Sequence, residues 1–252
     1  MPTTKLGKCT WGWAEAKAVM SGAFGGRTAE QARDVFAGEL KRLGYAAPLF
    51  LTSRASVGLR LALDEMRSRN PGRAAVVVPA YCCPSVPATV REAGLTLRAA
   101  PVGADLNLDL DRLPPLLDAD VLAVVGVHMY ALPLDVGRLK AMAAKAGAFV
   151  IDDAAHMVAG RGHPPLGLAG DVGLLSFNQS KTLTGGSPKG GGVLIATNDD
   201  LRGGLEERYA CLAEGKARAR PYLWFALRYA VEVTPRALTE YIGDLDAPLS
   251  AV

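Results

Sequence analysis

Three short segments carry residue types whose order and spacing could do chemistry. Val150-Ile151-Asp152-Asp153-Ala154-Ala155-His156 is an apolar run that ends in two carboxylates, two small residues and an imidazole. A carboxylate at the end of a buried strand is costly unless it is paired. A cationic pyridinium nitrogen is one natural partner for Asp153, and the two alanines would let a planar ring approach the backbone. The same residues also describe a strand that closes in a solvated Asp-Asp turn, or a carboxylate pair on a divalent metal.

The second segment, Leu174-Leu175-Ser176-Phe177-Asn178-Gln179-Ser180-Lys181, runs from an apolar stretch through a polar turn to a single lysine. Gly185, Gly186, Gly190, Gly191 and Gly192 follow. A lysine whose pKa is lowered by burial or by a neighbouring cation becomes a nucleophile towards carbonyls, which makes Lys181 a candidate for Schiff-base formation. The glycines permit a tight loop around a ligand. Most lysines placed after a strand are merely solvated, and Lys189 in the same glycine-rich stretch competes for the role. In the third segment, Thr52-Ser53-Arg54-Ala55-Ser56-Val57-Gly58-Leu59, hydroxyl residues lead into a helical pattern. A helix start can hold a phosphate with its free N–H groups and nearby hydroxyls, although an ordinary N-cap explains the same residues.

These segments need a scaffold, and the pattern between them supplies one. Short β-branched runs alternate with longer helical patterns from about residue 46 to 197, as in βαβ units around a mostly parallel sheet. Strands are expected at Ala75–Pro79, Leu95–Ala99, Val121–His128, Ala148–Asp152, Gly173–Phe177 and Gly192–Thr197. Helices are expected at Ser56–Arg69, Ser85–Ala93, Asp109–Leu117 and Asp135–Ala146, the last with an acidic start and Gly147 just past its end. The carboxyl ends of parallel strands line up along one edge, and the chemistry is expected there. Residues 10–45 read as one or two helices broken at Gly25 and Gly26, and a charged helix begins near Leu201.

Composition narrows the class. Half of the 252 residues are hydrophobic and 21% are charged, so the chain can bury a large core, and disorder is excluded. A net charge of +3 is too small to mark a nucleic-acid protein. Cys9, Cys82, Cys83 and Cys211 form no metal-binding or disulfide pattern and are read as reduced thiols. Neither a secretory leader nor a spanning apolar run is visible, which predicts a cytoplasmic protein. The three histidines, His128, His156 and His163, form no H-E-x-x-H pattern. With no G-x-S-x-G, G-x-G-x-x-G or Walker sequence either, zinc and serine hydrolases and common nucleotide binders have no support.

Taken in order, the blocks resemble the sugar aminotransferases of the DegT/StrS type, which depend on pyridoxal 5′-phosphate (PLP) and have the aspartate-aminotransferase-like fold (fold type I). Thr52–Leu63 resembles the family's Ser-Gly-Thr-x-Ala-Leu helix start, and Val76–Tyr81 its V-x-x-P-x-x segment. Val127-His128-Met129-Tyr130-Ala131-Leu132-Pro133-Leu134-Asp135, Ile151–His156 (family E-D-x-A-[QH]) and Ser176–Lys181 (family S-F-x-x-x-K) continue the match. Asp153 precedes Lys181 by 28 residues, which suits the family's layout.

The resemblance implies an α/β fold: the fold type I large domain, with a mostly parallel central sheet flanked by helices. It divides the chain into a helical segment (1–45), a PLP-binding domain (46–201) and an incomplete C-terminal segment (202–252), with the small domain that usually follows missing or truncated. It also implies roles. Lys181 would carry PLP as an internal aldimine and shuttle a proton, Asp153 would hold the ring nitrogen protonated, and His156 would sit against the ring. Ser176, with Ser56 and the amides of Ser56 and Val57, would bind the 5′-phosphate. Cys83 falls where the family has a ring-stacking aromatic, with Tyr81 as a substitute. Arg54 and Ala55 precede Ser56 in the phosphate loop, Ala131 replaces a glycine, and Lys189-Gly190-Gly191 replaces Glu-Gly-Gly. The implied activity is transfer of an amino group from an amino acid, by analogy glutamate, to a nucleotide-linked keto-sugar in a homodimer. A non-catalytic PLP-fold protein and another PLP-dependent sugar-modifying enzyme are the alternatives.

Overall fold

Seven strands form a single sheet, and their order explains where the site lies. The computed structural model describes residues 29–158, 164–178, 181 and 190–212, all of them within one unit, Met1–Ala213. In chain order the elements are α1 (Ala29–Arg42), β1 (Leu49–Thr52), α2 (Ala55–Arg69), β2 (Ala75–Pro79), α3 (Ser85–Glu92), β3 (Thr96–Ala100), β4 (Val121–Val127), α4 (Val136–Ala146), β5 (Phe149–Asp153), β6 (Val172–Ser176), β7 (Gly192–Ala196) and α5 (Asp199–Ala210). The sheet order is β1-β7-β6-β5-β4-β2-β3. The run from β3 through β2, β4 and β5 to β6 is parallel, and β7 lies antiparallel to both β6 and β1.

The central strands are apolar throughout, because both faces of the sheet are covered. Every residue of β2, β4, β6 and β7 is buried. Successive side chains alternate between two layers. Val76, Leu122, Ile151, Leu174 and Leu194 pack with Leu59, Leu63 and Met66 of α2, Val90 of α3 and Leu205 of α5. Val77, Val124 and Val150 face Leu139 and Ala143 of α4, and Leu175, Val193 and Ile195 pack with Leu40 and Tyr45 at the end of α1. Helix α4 carries both expected signals. The Asp135 carboxylate accepts the Arg138 N–H at 2.8 Å, and Gly147 closes the helix in the left-handed conformation at φ 65°.

Two elements differ from the sequence expectation. Residues 109–117 do not form a helix: only Pro114–Leu116 make a 3₁₀ turn. Pro114 and Pro115 bring no N–H to a ladder, and the Asp109 carboxylate accepts the backbone N–H groups of Asp111 and Arg112, an arrangement that competes with helix. Leu108, Leu110 and Leu113 are buried all the same, so the apolar spacing served a loop. Strand β1 was not expected. It is four residues long, too short for an alternation to register, and pairs antiparallel with β7 from Leu49↔Ile195 to Thr52↔Gly192. The proposed break at Gly25 and Gly26 lies outside the described residues.

Candidate active site

The parallel strands deliver their carboxyl ends to one edge, and a cavity of about 260 Å³ opens there. Because β7 runs the other way, its amino end reaches the same edge, and Gly192 lies opposite both Thr52 and Ser176. A side chain on Gly192 would overlap the backbone of Arg54 and Ala55. The glycine is what lets the chain entering α2 lie against the sheet. Phe177 donates its N–H to the Gly191 carbonyl at 2.8 Å, and the Lys181 N–H bonds to the Asn178 carbonyl at 2.9 Å. Lys181 lies at the cavity, which Ser176, Asn178, Lys181 and Gly191 line together.

The start of α2 forms another wall, through Arg54, Ala55 and Ser56. Arg54 is extended (φ −157°, ψ 154°), and no side chain caps the helix. The carbonyl of Arg54 accepts the Thr52 hydroxyl at 2.8 Å and the Val57 N–H at 3.1 Å. The amide of Val57 is therefore committed to the helix start, and Val57 is not among the lining residues.

Asp152 and Asp153 separate cleanly. Asp152 is buried and accepts from His128 Nε2 at 2.7 Å and from the Ala169 N–H at 3.0 Å. His128 Nδ1 accepts the Leu134 N–H at 2.9 Å, so its ring proton sits on Nε2, where it donates to Asp152. Asp153 lines the cavity, 5% exposed, with Oδ1 accepting the Ala155 N–H at 2.9 Å. Burial raises the pKa of Asp153 above the usual carboxylate value, against the opposing pull of the Ala155 N–H and the Lys181 charge. The two carboxylates thus face different surroundings and do not form the pair that a shared cation would need.

His156 also lines the cavity. Burial, with the Lys181 charge adding to it, lowers its pKa to about 4, so the imidazole is neutral at physiological pH. The ring of Tyr130 meets it edge-on at 5.5 Å, and the Tyr130 hydroxyl shares a 2.6 Å hydrogen bond with that of Tyr81. Tyr130 and Ala131 both hold left-handed backbone conformations, at φ 51° and 66°, the second at the position where the resemblance led one to expect glycine.

Cys82 and Cys83 point to different environments. Cys83 lines the cavity, its Sγ 3.2 Å from the Ser85 hydroxyl, and Tyr81 does not. Cys82 packs against the core, and burial, helped by Asp153 and Cys83, pushes its thiol up to about 11, which removes it as a nucleophile at neutral pH. Cys82, Cys83 and Cys211 are free thiols.

The model of the DegT/DnrJ/EryC1/StrS aminotransferase family matches residues 26–219. The chain belongs to this family. It is 32% identical over 167 residues to an L-glutamine:2-deoxy-scyllo-inosose aminotransferase of Streptomyces kanamyceticus, covering 60% of this chain and 38% of that one. It is 31% identical over 119 residues to the UDP-N-acetyl-3-dehydro-alpha-D-glucosamine 3-aminotransferase of Acidithiobacillus ferrooxidans, covering 44% and 31%. The structure superposes on the sugar aminotransferase CalS13 of Micromonospora echinospora with a TM-score of 0.67 at 26% identity, over 85% of this chain and 60% of that one. The fold is also that of 3-amino-5-hydroxybenzoic acid synthase (TM-score 0.69, 21% identity, 84% and 56% covered). The chain thus spans less than two thirds of each of these relatives.

Of the residues expected from sequence, the cavity brings together Ser56, Cys83, Asp153, His156, Ser176 and Lys181. Lys189 lies outside the described residues. The Tyr81–Tyr130 contact and the lining roles of Ser85 and Asn178 were not anticipated. The position of Ser85 at the helix start just after β2 was the one signal available, because such positions fall on the carboxyl edge of the sheet.

Proposed function

We propose that this chain binds PLP in the carboxyl-edge cavity and uses it to transfer an amino group to a keto-sugar. The observation that carries the reading is the convergence of a lysine amine, a buried carboxylate, a neutral imidazole and the hydroxyls of Ser56, Ser85 and Ser176 on one cavity. The donor set fits the cofactor. Asp153 is a buried carboxylate with a raised pKa, a state that a cationic ring nitrogen would relieve. Ser56 at the start of α2 and Ser176 at the end of β6 offer hydroxyls to an anion, and Lys181 offers the amine that a carbonyl requires.

When bound, PLP supplies the electron sink on which the amino group leaves its donor. The residues of the chain do the rest. Asp153 holds the ring-nitrogen proton inside the sheet edge. Lys181 anchors the cofactor carbonyl and moves a proton between the donor carbon and the cofactor carbon. His156, neutral beside Lys181, packs at the ring without adding a second positive charge. Of the relatives named above, one is named for a scyllo-inosose, one for a UDP-linked dehydro-glucosamine and one as a sugar aminotransferase, which supports a keto-sugar acceptor. Glutamate as donor, a nucleotide on the sugar, a homodimeric assembly and a cytoplasmic location complete the reading.

The test is an absorbance titration of the protein with PLP, before and after addition of glutamate, beside Lys181→Ala. The expected result is a visible band from the lysine-linked cofactor in the wild type, lost to the pyridoxamine form on adding glutamate and absent in Lys181→Ala. A wild-type band that survives every amino donor would remove transamination, and no band at all would remove PLP.

A further inference from the structure

Arg54 stands at the mouth of the cavity with nothing to hold. The other three arginines of this segment, all within α2, are engaged: Arg60 with Asp64 and the Glu92 carbonyl, Arg67 with the Ala93 carbonyl, and Arg69 with Glu65. Arg54 has no hydrogen-bond or ion-pair partner among the described residues, yet it lines the cavity beside Ser56, Ser176 and Asn178. Its extended backbone stands just outside the helix, where neither a helical neighbour nor a capping bond claims the side chain.

The charge of the cavity makes that position informative. Among the described residues, its formally charged lining groups are Arg54, Lys181 and Asp153. Asp153 is buried with a raised pKa, and His156 is neutral. Two cations therefore face at most one anion, and only Lys181 has an assigned partner once a carbonyl is bound. The surplus cation belongs to the residue two before Ser56, and its backbone lies against Gly192, the register partner of Ser176. A guanidinium placed there forms charge-assisted, bidentate hydrogen bonds to phosphate oxygens.

We infer that Arg54 is a direct ligand of the cofactor's 5′-phosphate, supplying charge that the serine hydroxyls and helix amides do not. The inference rests on the PLP reading above. It also explains why the helix start can dispense with the Val57 amide, which is already bonded to the Arg54 carbonyl. The amino donor's carboxylate is the competing anion for the same guanidinium, and the experiment separates the two.

Equilibrium binding of PLP and of pyridoxal, its phosphate-free analogue, is measured by absorbance and fluorescence for the wild type, Arg54→Ala and Arg54→Lys, without any amino donor. A lost charge-assisted bond corresponds to roughly a 10- to 100-fold loss of affinity. Arg54→Ala is expected to lose that much for PLP and nothing for pyridoxal, with Arg54→Lys in between. Equal affinities of wild type and Arg54→Ala for PLP overturn the assignment, and so does an equal loss for both ligands, which would mean a packing effect. A variant with unchanged PLP affinity but a raised KM for glutamate gives Arg54 to the donor instead. A wild type that binds neither ligand overturns the cofactor reading itself, a result distinct from any of these.

Discussion

Asp152 and Asp153 are adjacent at the end of β5, and only one of them reaches the cavity. Asp152 accepts from His128 Nε2 at 2.7 Å, and Asp153 turns the other way to line the site. Alternation along a strand produces this division without any further device. It assigns the neighbours opposite consequences on mutation.

Asp153→Asn keeps the shape and an oxygen able to accept the Ala155 N–H, and removes the charge that burial penalises. With a folded pKa above the unfolded one, Asp153 contributes stability below the unfolded pKa that is lost as pH rises through the folded value. Without cofactor, the variant is therefore expected to be at least as stable as wild type at neutral pH in a thermal melt. Under the proposed function, its rate of PLP-dependent amino transfer should fall by about 10²–10³-fold, as when a fixed electrostatic partner is removed. A variant with lower apo stability and full activity would reverse the assignment.

Removing the other half of the division should do the reverse. His128→Ala leaves the Asp152 carboxylate buried with one donor fewer and frees the Leu134 N–H. The expected loss is about 3 kcal/mol in chemical denaturation. Because His128 is 2% exposed, its side chain bonds only to Asp152 and Leu134, which do not line the cavity, and its backbone bond to the Asp153 carbonyl survives the substitution, PLP affinity under native conditions should change much less than stability. A large affinity loss without destabilisation would place His128 in the site.

Most of the scaffold was legible because its signals are local. Strand β2 starts and stops where the Val76–Val78 run predicted, and α4 lies between Asp135 and Gly147, whose roles follow from their side chains alone. The failures have physical causes. Prolines and an Asp109-centred turn took over an apolar spacing that suggested a helix, and β1 exists through pairing with β7, a partner more than a hundred residues away. Among the site residues, Lys181, Asp153 and Ser176 could be named because strand ends concentrate them. The choice between Cys83 and Tyr81 was not legible, since it depends on how the turn after β2 is aimed. Nor was the Tyr81–Tyr130 bond, which joins two loops in three dimensions.

The depressed pKa of His156, about 4, makes a pH prediction with a definite sign. The unfolded chain takes up a proton near the ordinary value of about 6.5, and the folded one resists until about 4. The stability that depends on a neutral His156 is present above pH 6.5 and is lost progressively as pH falls towards 4. Denaturation midpoints measured across this window should fall with pH in the wild type and fall less in His156→Asn. By NMR, the His156 ring should titrate far below the other imidazoles of an unfolded reference, and Lys181→Ala should raise its pKa, because that charge is one of the two causes. Titration at an ordinary value in the folded protein would contradict the buried, neutral ring.

Gly204 supplies a case in which helix propensity points the wrong way. In an isolated helix, Gly→Ala is worth about 1 kcal/mol. In α5, a methyl at this position would overlap the Glu65 carboxylate of α2. That carboxylate cannot easily step aside: it is 3% exposed, accepts from Arg69 at 2.8 Å and Arg208 at 2.9 Å, and also receives the Ser68 hydroxyl. Burial works to raise its pKa, but the two arginines outweigh burial and hold it below the ordinary carboxylate value of 4.5. The stability it contributes is therefore present above about pH 4.5 and lost as pH falls through the lower folded value. Gly204→Ala should destabilise by about 1–3 kcal/mol through overpacking. In a Glu65→Ala background, where the obstruction is gone, the same substitution should stabilise by about 1 kcal/mol. Urea denaturation of the four proteins at pH 7 gives the coupling directly. A stabilising Gly204→Ala in the wild-type background would mean that the Arg69–Glu65–Arg208 cluster yields freely and does not pin α5 to α2.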